Sequence, residues 1–317
     1  MKNLKSIGYV LGITLCLLIA IEILAKYTIF NIYNRTFDKS LIQTHKYGIT
    51  DGLKPNAHGI VWGKLLHTDD IGARAYPNPK PNKPKLLIMG DSVTEGVGVD
   101  DSSTFAALCA PAIDSLAVSN ISLIGWSIKD YNNVLHSLLN MQNGTPIHTL
   151  WLFYCLNDIY GDSKASGLPT MGHKGLLSYI NALLQHRYAT YTLLKLFLYQ
   201  HSDYYYQYDS QFYSNSQKVN LLLADLTAMD SLCTARGIQF KLFILPYRSQ
   251  LSDAKNNAPQ QVMAHALSAH HISFLDLLPT LATATNPEKL YLFADEIHLS
   301  PMGHLMVADA LCHNAGR

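Results

Sequence analysis

The stretch "KLLIMGDSVTEGVGVDD", Lys85 to Asp101, decides the fold. Leu86 to Met89 is a short, unbroken apolar run of the kind that sits inside a parallel sheet, covered on both faces. The run stops at Gly90. Asp91 and Ser92 are residue types that cap a following helix, so the local pattern reads as strand, tight turn, helix. A turn of this kind needs no chemistry. A hydroxyl just past the end of a central strand is nevertheless where open α/β sheets carry reactive groups, and the rest of the chain decides between the two readings.

Similar apolar runs recur at Val118–Ile124, Leu150–Tyr154, Phe240–Leu245 and Ile272–Leu275. Helical periodicity fills several gaps between them. Val219 to Ala235 places Leu222, Leu226, Met229 and Cys233 on one face and stops at Gly237. The βαβα alternation predicts an α/β fold, a three-layer α/β/α sandwich with a mostly parallel sheet, over residues 85–317. Residues 30–84 show little periodicity and end in "YPNPKPNKPK", Tyr76 to Lys85, too rich in proline for a sheet or helix interior, so they read as an extended lead-in. Between Tyr160 and Gln217 lies an insertion with an amphipathic run, Leu176 to Gln200, and a tyrosine-dense stretch, Asp203 to Tyr213. It reads as helices packed over one edge of the sheet, with a lid over the site as the sharper alternative. Such tyrosines suit sugar stacking or a membrane interface.

Residues 1–29 form a separate unit. No charge occurs from Ile7 to Ile21, and the apolar pattern runs past Glu22 to Ala25, which makes about the 20 residues a bilayer-spanning helix needs. A retained anchor and a cleaved signal peptide share this pattern. The length of the run and the poor cleavage site Ile23-Leu24-Ala25 favour the anchor. Either reading exports the rest of the chain, and Lys2 and Lys5 ahead of the span place it outside the cytoplasm. Over 317 residues the net charge is +1, which supplies no basic field for a nucleic-acid partner. The five cysteines lack the paired spacing of a zinc or redox motif and read as core residues, with pairing among the last four left open.

The predicted strand ends deliver a chemical set. The first delivers Asp91 and Ser92, the second Gly125, the third Asn157 and Asp158. Near the C-terminus "FADEIHLSPMGH" supplies Asp295 and His298, just ahead of a helix that Pro301 opens. Acyl transfer needs such a set: a serine nucleophile, an imidazole to take its proton, and a carboxylate to fix the imidazole tautomer. The backbone N–H groups of Ser92 and Gly125 and the Asn157 amide would complete an oxyanion hole, each donor worth about 3 kcal/mol of barrier. Asp295, His298 and His304 have no further ligand spaced to join them in a metal site, so no metal or other cofactor is expected and His304 reads as structural. The glycines form no dinucleotide fingerprint or P-loop, and there is no G-x-S-x-G elbow.

In these blocks the chain resembles the SGNH/GDSL family of serine esterases and acyl hydrolases. Gly90-Asp91-Ser92 with Thr94 and Gly96, then Gly125, then Asn157 and Asp158, then Asp295 and His298 match its four blocks in order. "HTDDIGARAY", His67 to Tyr76, is similar to a segment ahead of the nucleophile in membrane-anchored members. Val93 stands for the leucine of the nominal signature, and Cys155 for a glycine two before the asparagine, which would narrow the floor of the site. The resemblance implies a flavodoxin-like sheet with Ser92, His298 and Asp295 as the catalytic residues, Ser92, Gly125 and Asn157 as the oxyanion hole, and Asp91 and Asp158 in support. It also implies an acylated small-molecule, glycan or lipid substrate, such as acetyl groups on an envelope glycan, with transfer to a sugar hydroxyl as a variant. A lipase at the membrane surface is one alternative. A silent scaffold of polysaccharide assembly is another, whose signature would be loss of Ser92, His298 or Asn157.

Overall fold

The computed structural model describes residues 2–76, 80, 82–140, 146–160, 180–181, 183–184, 187–199, 203–252 and 256–315. Lys2–Ile32 is one helix, α1, and its apolar side chains from Ile7 to Ile32 are largely exposed. Ser6–Ile32 is long and apolar enough to cross a membrane.

The segment expected as an extended lead-in is folded. Ile42–Tyr47 (β1) pairs antiparallel with Thr50–Leu53 (β2), and His58–Val61 (β3) with Lys64–His67 (β4). The turn between β3 and β4 is Trp62-Gly63, with φ of +50° and +77°. Positive φ at both central residues matches the right-handed twist of a two-residue hairpin, but such a φ is uncommon for a bulky residue such as Trp62. Of the proline-rich stretch, residues 77–79 and 81 lie outside the described residues, as do residues 161–179 of the insertion.

The main sheet is formed by Lys85–Gly90 (β5), Ala117–Ser122 (β6), Ile147–Tyr154 (β7), Gln239–Ile244 (β8) and Phe274–Asp276 (β9). All pairings are parallel, in the order β6-β5-β7-β8-β9. Relabelled from its first strand this is 2-1-3-4-5, whose switch point lies between β5 and β7. Residues 86–90 and 149–154 are buried on both faces, which is why they read as unbroken apolar runs. Phe153 stacks on Phe243 at 4.7 Å and meets Phe105 at 4.4 Å, tying neighbouring strands to the helix Phe105–Cys109. That helix packs on the terminal helix, Pro301–Ala315, and Ile128–Asn140 packs on Ser216–Ala235.

Arg74 joins the lead-in to the sheet. Its backbone bridges Asn120 of β6, and its buried guanidinium donates to the carbonyls of Glu95, Gly96 and Val99, each at 2.6 Å, and to Asp101 at 2.8 Å. These carbonyls belong to an irregular loop in which Gly96 and Gly98 have positive φ, so only a planar fork of N–H donors satisfies them together. Arg74→Met would leave them unpaired and the loop after Ser92 unheld. We expect a loss of about 3–5 kcal/mol, measured by urea unfolding of the full chain in detergent.

Candidate active site

Ser92 is held where β5 meets the helix Ser92–Glu95, α2. A Cβ on Gly90 would lie 2.1 Å from Thr94 Oγ1 and 2.8 Å from the Phe153 carbonyl, so the turn can close against β7 only with glycine. Asp91 caps α2 by accepting the Val93 N–H at 2.9 Å. Ser92 is the first residue of α2, and its N–H has no partner within its own helix. Its Oγ lies 2.9 Å from His298 Nε2.

His298 stands on the loop before the terminal helix. Its Nδ1 is 3.0 Å from both carboxylate oxygens of Asp295, and Asp295 Oδ1 also accepts the backbone N–H groups of Ile297 and His298 at 2.8 Å. Burial alone would raise the Asp295 carboxyl, but His298, these N–H groups and the Arg35 guanidinium together hold it well below the usual carboxylate range. An ionised carboxylate can only accept, so the Nδ1 that faces it carries a proton, and Nε2 is the ring nitrogen turned to Ser92.

Register places the other expected residues at the same edge. Gly90 of β5 is level with Ser122 of β6 and Phe153 of β7, so Gly125 and Asn157 leave the sheet beside Ser92. Gly125 has φ +85° with no atom within 4 Å of where a Cβ would stand. The backbone conformation therefore demands glycine, and no packing of protein against it does. Asn157 Oδ1 and Asp91 Oδ2 are both buried without a hydrogen-bond partner among the described residues, with the Asn157 amide near Asp91. Asp158 is buried and accepts the Cys155 N–H at 2.8 Å and the Tyr131 hydroxyl at 2.9 Å, which ties down the turn carrying Asn157. Cys155 is 2% exposed and faces Asp91 and Asp158.

Two site residues left no signal in the sequence. Arg35, three residues past α1, forms an ion pair with Asp295 Oδ2 at 2.9 Å and donates to the Phe293 carbonyl. Trp62, on the β3–β4 turn, touches both Arg35 and His298: its ring is 4.0 Å from the Arg35 guanidinium carbon and meets the His298 ring edge-on at 4.5 Å. The arginine orients the carboxylate and helps to hold it ionised. Arg35→Met should therefore lower kcat/KM about tenfold, or ~1.4 kcal/mol of barrier. Arg35→Lys should restore part of the rate.

Glu95 of α2 is fully buried and accepts the Ile124 N–H at 2.6 Å, next to Gly125. Burial pushes its carboxyl up to about 8 against the pull of Arg74. A carboxyl raised in the fold above its ordinary 4.5 binds a proton the unfolded chain releases. Stability should thus fall as pH rises from 4.5 to about 8, and Glu95→Gln should flatten that slope in unfolding measured across the range.

His304 is buried, and its Nδ1 accepts the Phe105 N–H at 3.2 Å. Burial holds it down at about 3, so it is neutral. Among the described residues no cluster of three metal-ligating side chains occurs, and all five cysteines are free. Part of the tyrosine-dense stretch enters the core, while Tyr204, Tyr205 and Tyr208 stay partly exposed. Tyr206 and Tyr213 are buried, the Tyr213 hydroxyl bonds Tyr154 at 2.5 Å and the Leu156 carbonyl at 2.9 Å, and Asp209 accepts from Tyr160 and Tyr247.

No family model matches the chain, and no curated protein matches it. It is similar in shape to several solved structures. One is a lipolytic protein of the G-D-S-L family from Veillonella parvula, at 15% identity over 74% of this chain and 98% of that one, with a TM-score of 0.46. Another is the acetylxylan esterase Axe2 from Geobacillus stearothermophilus, at 13% identity over 75% and 97%, with a TM-score of 0.45. The psychrotrophic esterase EstA from Pseudoalteromonas is similar at 12% identity over 74% and 97%, with a TM-score of 0.44. The solved structures that the chain is similar to thus include a lipolytic protein of the G-D-S-L family and two esterases.

Proposed function

We propose that the chain is an exported, membrane-anchored serine hydrolase that cleaves O-acyl esters through an acyl-enzyme. The observation that carries this reading is the relay from Ser92 Oγ to His298 Nε2 at 2.9 Å and from His298 Nδ1 to Asp295 at 3.0 Å. Ser92 attacks the ester carbonyl while His298 takes its proton, and His298 then returns that proton to the leaving alkoxide. Water repeats the sequence in reverse and frees the acid. Asp295 holds the imidazole in the required tautomer and offsets its charge. The N–H groups of Ser92 and Gly125 and the Asn157 amide stabilise the oxyanion. Asp91 sets the Asn157 amide, and Asp158 sets the turn that carries it.

The reading favours a small acyl group, such as acetyl on an envelope glycan. Hydrolysis of chromogenic acetyl and long-chain esters by the full chain in detergent tests it, and acetyl should turn over faster. A preference for long chains would support the lipase reading, which the exposed apolar residues of the insertion favour. Inactivity of the folded protein towards both, with no acyl transfer to added sugar, would favour the scaffold.

A further inference from the structure

Glu22 is a carboxylate inside the apolar span Ser6–Ile32, a position that is costly in a membrane unless a partner is supplied. The insertion supplies one. The helix Ala189–Tyr199 begins at Glu22, whose two oxygens accept the N–H groups of Ala189 at 2.7 Å and Thr190 at 3.0 Å and the Thr190 hydroxyl at 2.8 Å. Lys26 of α1 adds an ion pair at 3.8 Å. A carboxylate on the first two N–H groups of a helix is a favourable cap.

The position of Glu22 along α1 sets the depth of this contact. A hydrocarbon core takes up about 20 residues of helix, so a span that starts at Ser6 leaves the core near Lys26. Glu22 then lies about 6 Å inside that boundary. Whatever surrounds α1 at residues 18–26 also surrounds the start of the insertion helix, which packs along it. The composition of that helix agrees. In "ATYTLLKLFLY" the single charge, Lys195, donates to Asn181 at 3.4 Å, whereas Leu194, Phe197 and Leu198 are 58%, 50% and 73% exposed. The far end reaches the candidate site. The Phe197 ring packs edge-on against Phe293 at 5.3 Å, two residues before Asp295, and Glu296 accepts the N–H groups of Tyr204 and Tyr205 just beyond the helix.

We propose that Ala189–Tyr199 is a second membrane element, seated in the outer interface of the bilayer beside α1, with Leu194, Phe197 and Leu198 in lipid and its far end braced on the loop that carries Asp295. The partner of this surface is the lipid bilayer, through continuity with the apolar face of α1. The active site then opens at the membrane surface and takes esters presented there. The proposal rests on α1 being retained in the membrane.

The test uses the full chain reconstituted in phosphatidylcholine vesicles, with Cys16 and Cys312 replaced by alanine. An environment-sensitive fluorophore is attached at one new cysteine in each variant: L194C or L198C on the insertion helix, I13C in α1, or L221C on an exposed face of the domain. Lipids brominated near the headgroup end of their chains serve as quenchers. Labels at 194 and 198 should lose fluorescence to an extent comparable with the label at 13, with a blue-shifted emission, while the label at 221 stays unquenched. Labels at 194 and 198 that behave like the one at 221, with 13 quenched, overturn the proposal and leave the anchor intact. A label at 13 that is not quenched overturns the anchor reading and the proposal with it.

Discussion

Ser92→Ala should leave a folded protein with about 10⁴- to 10⁶-fold lower kcat on a chromogenic acetyl ester. In the proposed reaction the hydroxyl forms the acyl bond, and within the described residues its one hydrogen bond is to His298 Nε2, so its removal leaves the packing of α2 unchanged. His298→Ala should cost a similar factor, because a serine without its base is a poor nucleophile at neutral pH. The double variant should be no slower than the slower single one, since residues that act as a unit are not additive. Single-turnover and steady-state rates for the three variants check this. A Ser92→Ala protein that keeps even a tenth of the parent rate, or two losses that multiply in the double variant, would remove Ser92 from the chemistry.

The parts of the fold that were legible are those whose environment is uniform. Strands β5 and β7 are buried on both faces and so read as apolar runs without knowledge of their neighbours. The second run was read as far as Ile124, but pairing ends at Ser122, because Leu123 and Ile124 are apolar in a turn that carries Gly125 back toward α2. The residues expected at the strand ends fall at one edge of the sheet because each strand there is parallel to the next and in register at Gly90. The two hairpins at 42–67 were not legible: their strands are at most six residues long, and their buried positions include Gly52 and Gly59. Arg35 and Trp62 were invisible for a different reason. Each acts on Asp295 or His298 across most of the chain, and no local pattern marks an arginine that will meet a carboxylate so distant in sequence. Glu22 was legible as a charge near the end of the apolar run, but its partners lie in the insertion, where periodicity alone did not fix a docking site.

Asp295→Asn should lower kcat/KM near neutral pH by about 10⁴-fold and also cost stability, because the buried ion pair with Arg35 is lost. The asparagine is isosteric and keeps one oxygen to accept the N–H groups of Ile297 and His298, now at 2.8 Å from Asp295 Oδ1. Its amide nitrogen then faces His298 Nδ1 as a donor, so Nδ1 must become the acceptor and the ring proton moves to Nε2. A protonated Nε2 can no longer take the Ser92 proton, and geometry intact to a fraction of an ångström does not help. Arg35→Met makes the opposite change, leaving the acceptor and tautomer in place while removing the charge behind them, so its expected loss is only about tenfold. The pair therefore separates tautomer from electrostatics: Asp295→Asn should cost about 10⁴-fold in kcat/KM and Arg35→Met about tenfold. Linkage adds a check of sign. A carboxyl held below its ordinary 3.8 in the fold contributes stability above that pH and loses it as pH falls, so the parent should lose more stability than Asp295→Asn on titration below about pH 4. An Asp295→Asn protein no slower than Arg35→Met would show that the carboxylate does not set the tautomer, and the acyl-enzyme reading would lose its third member.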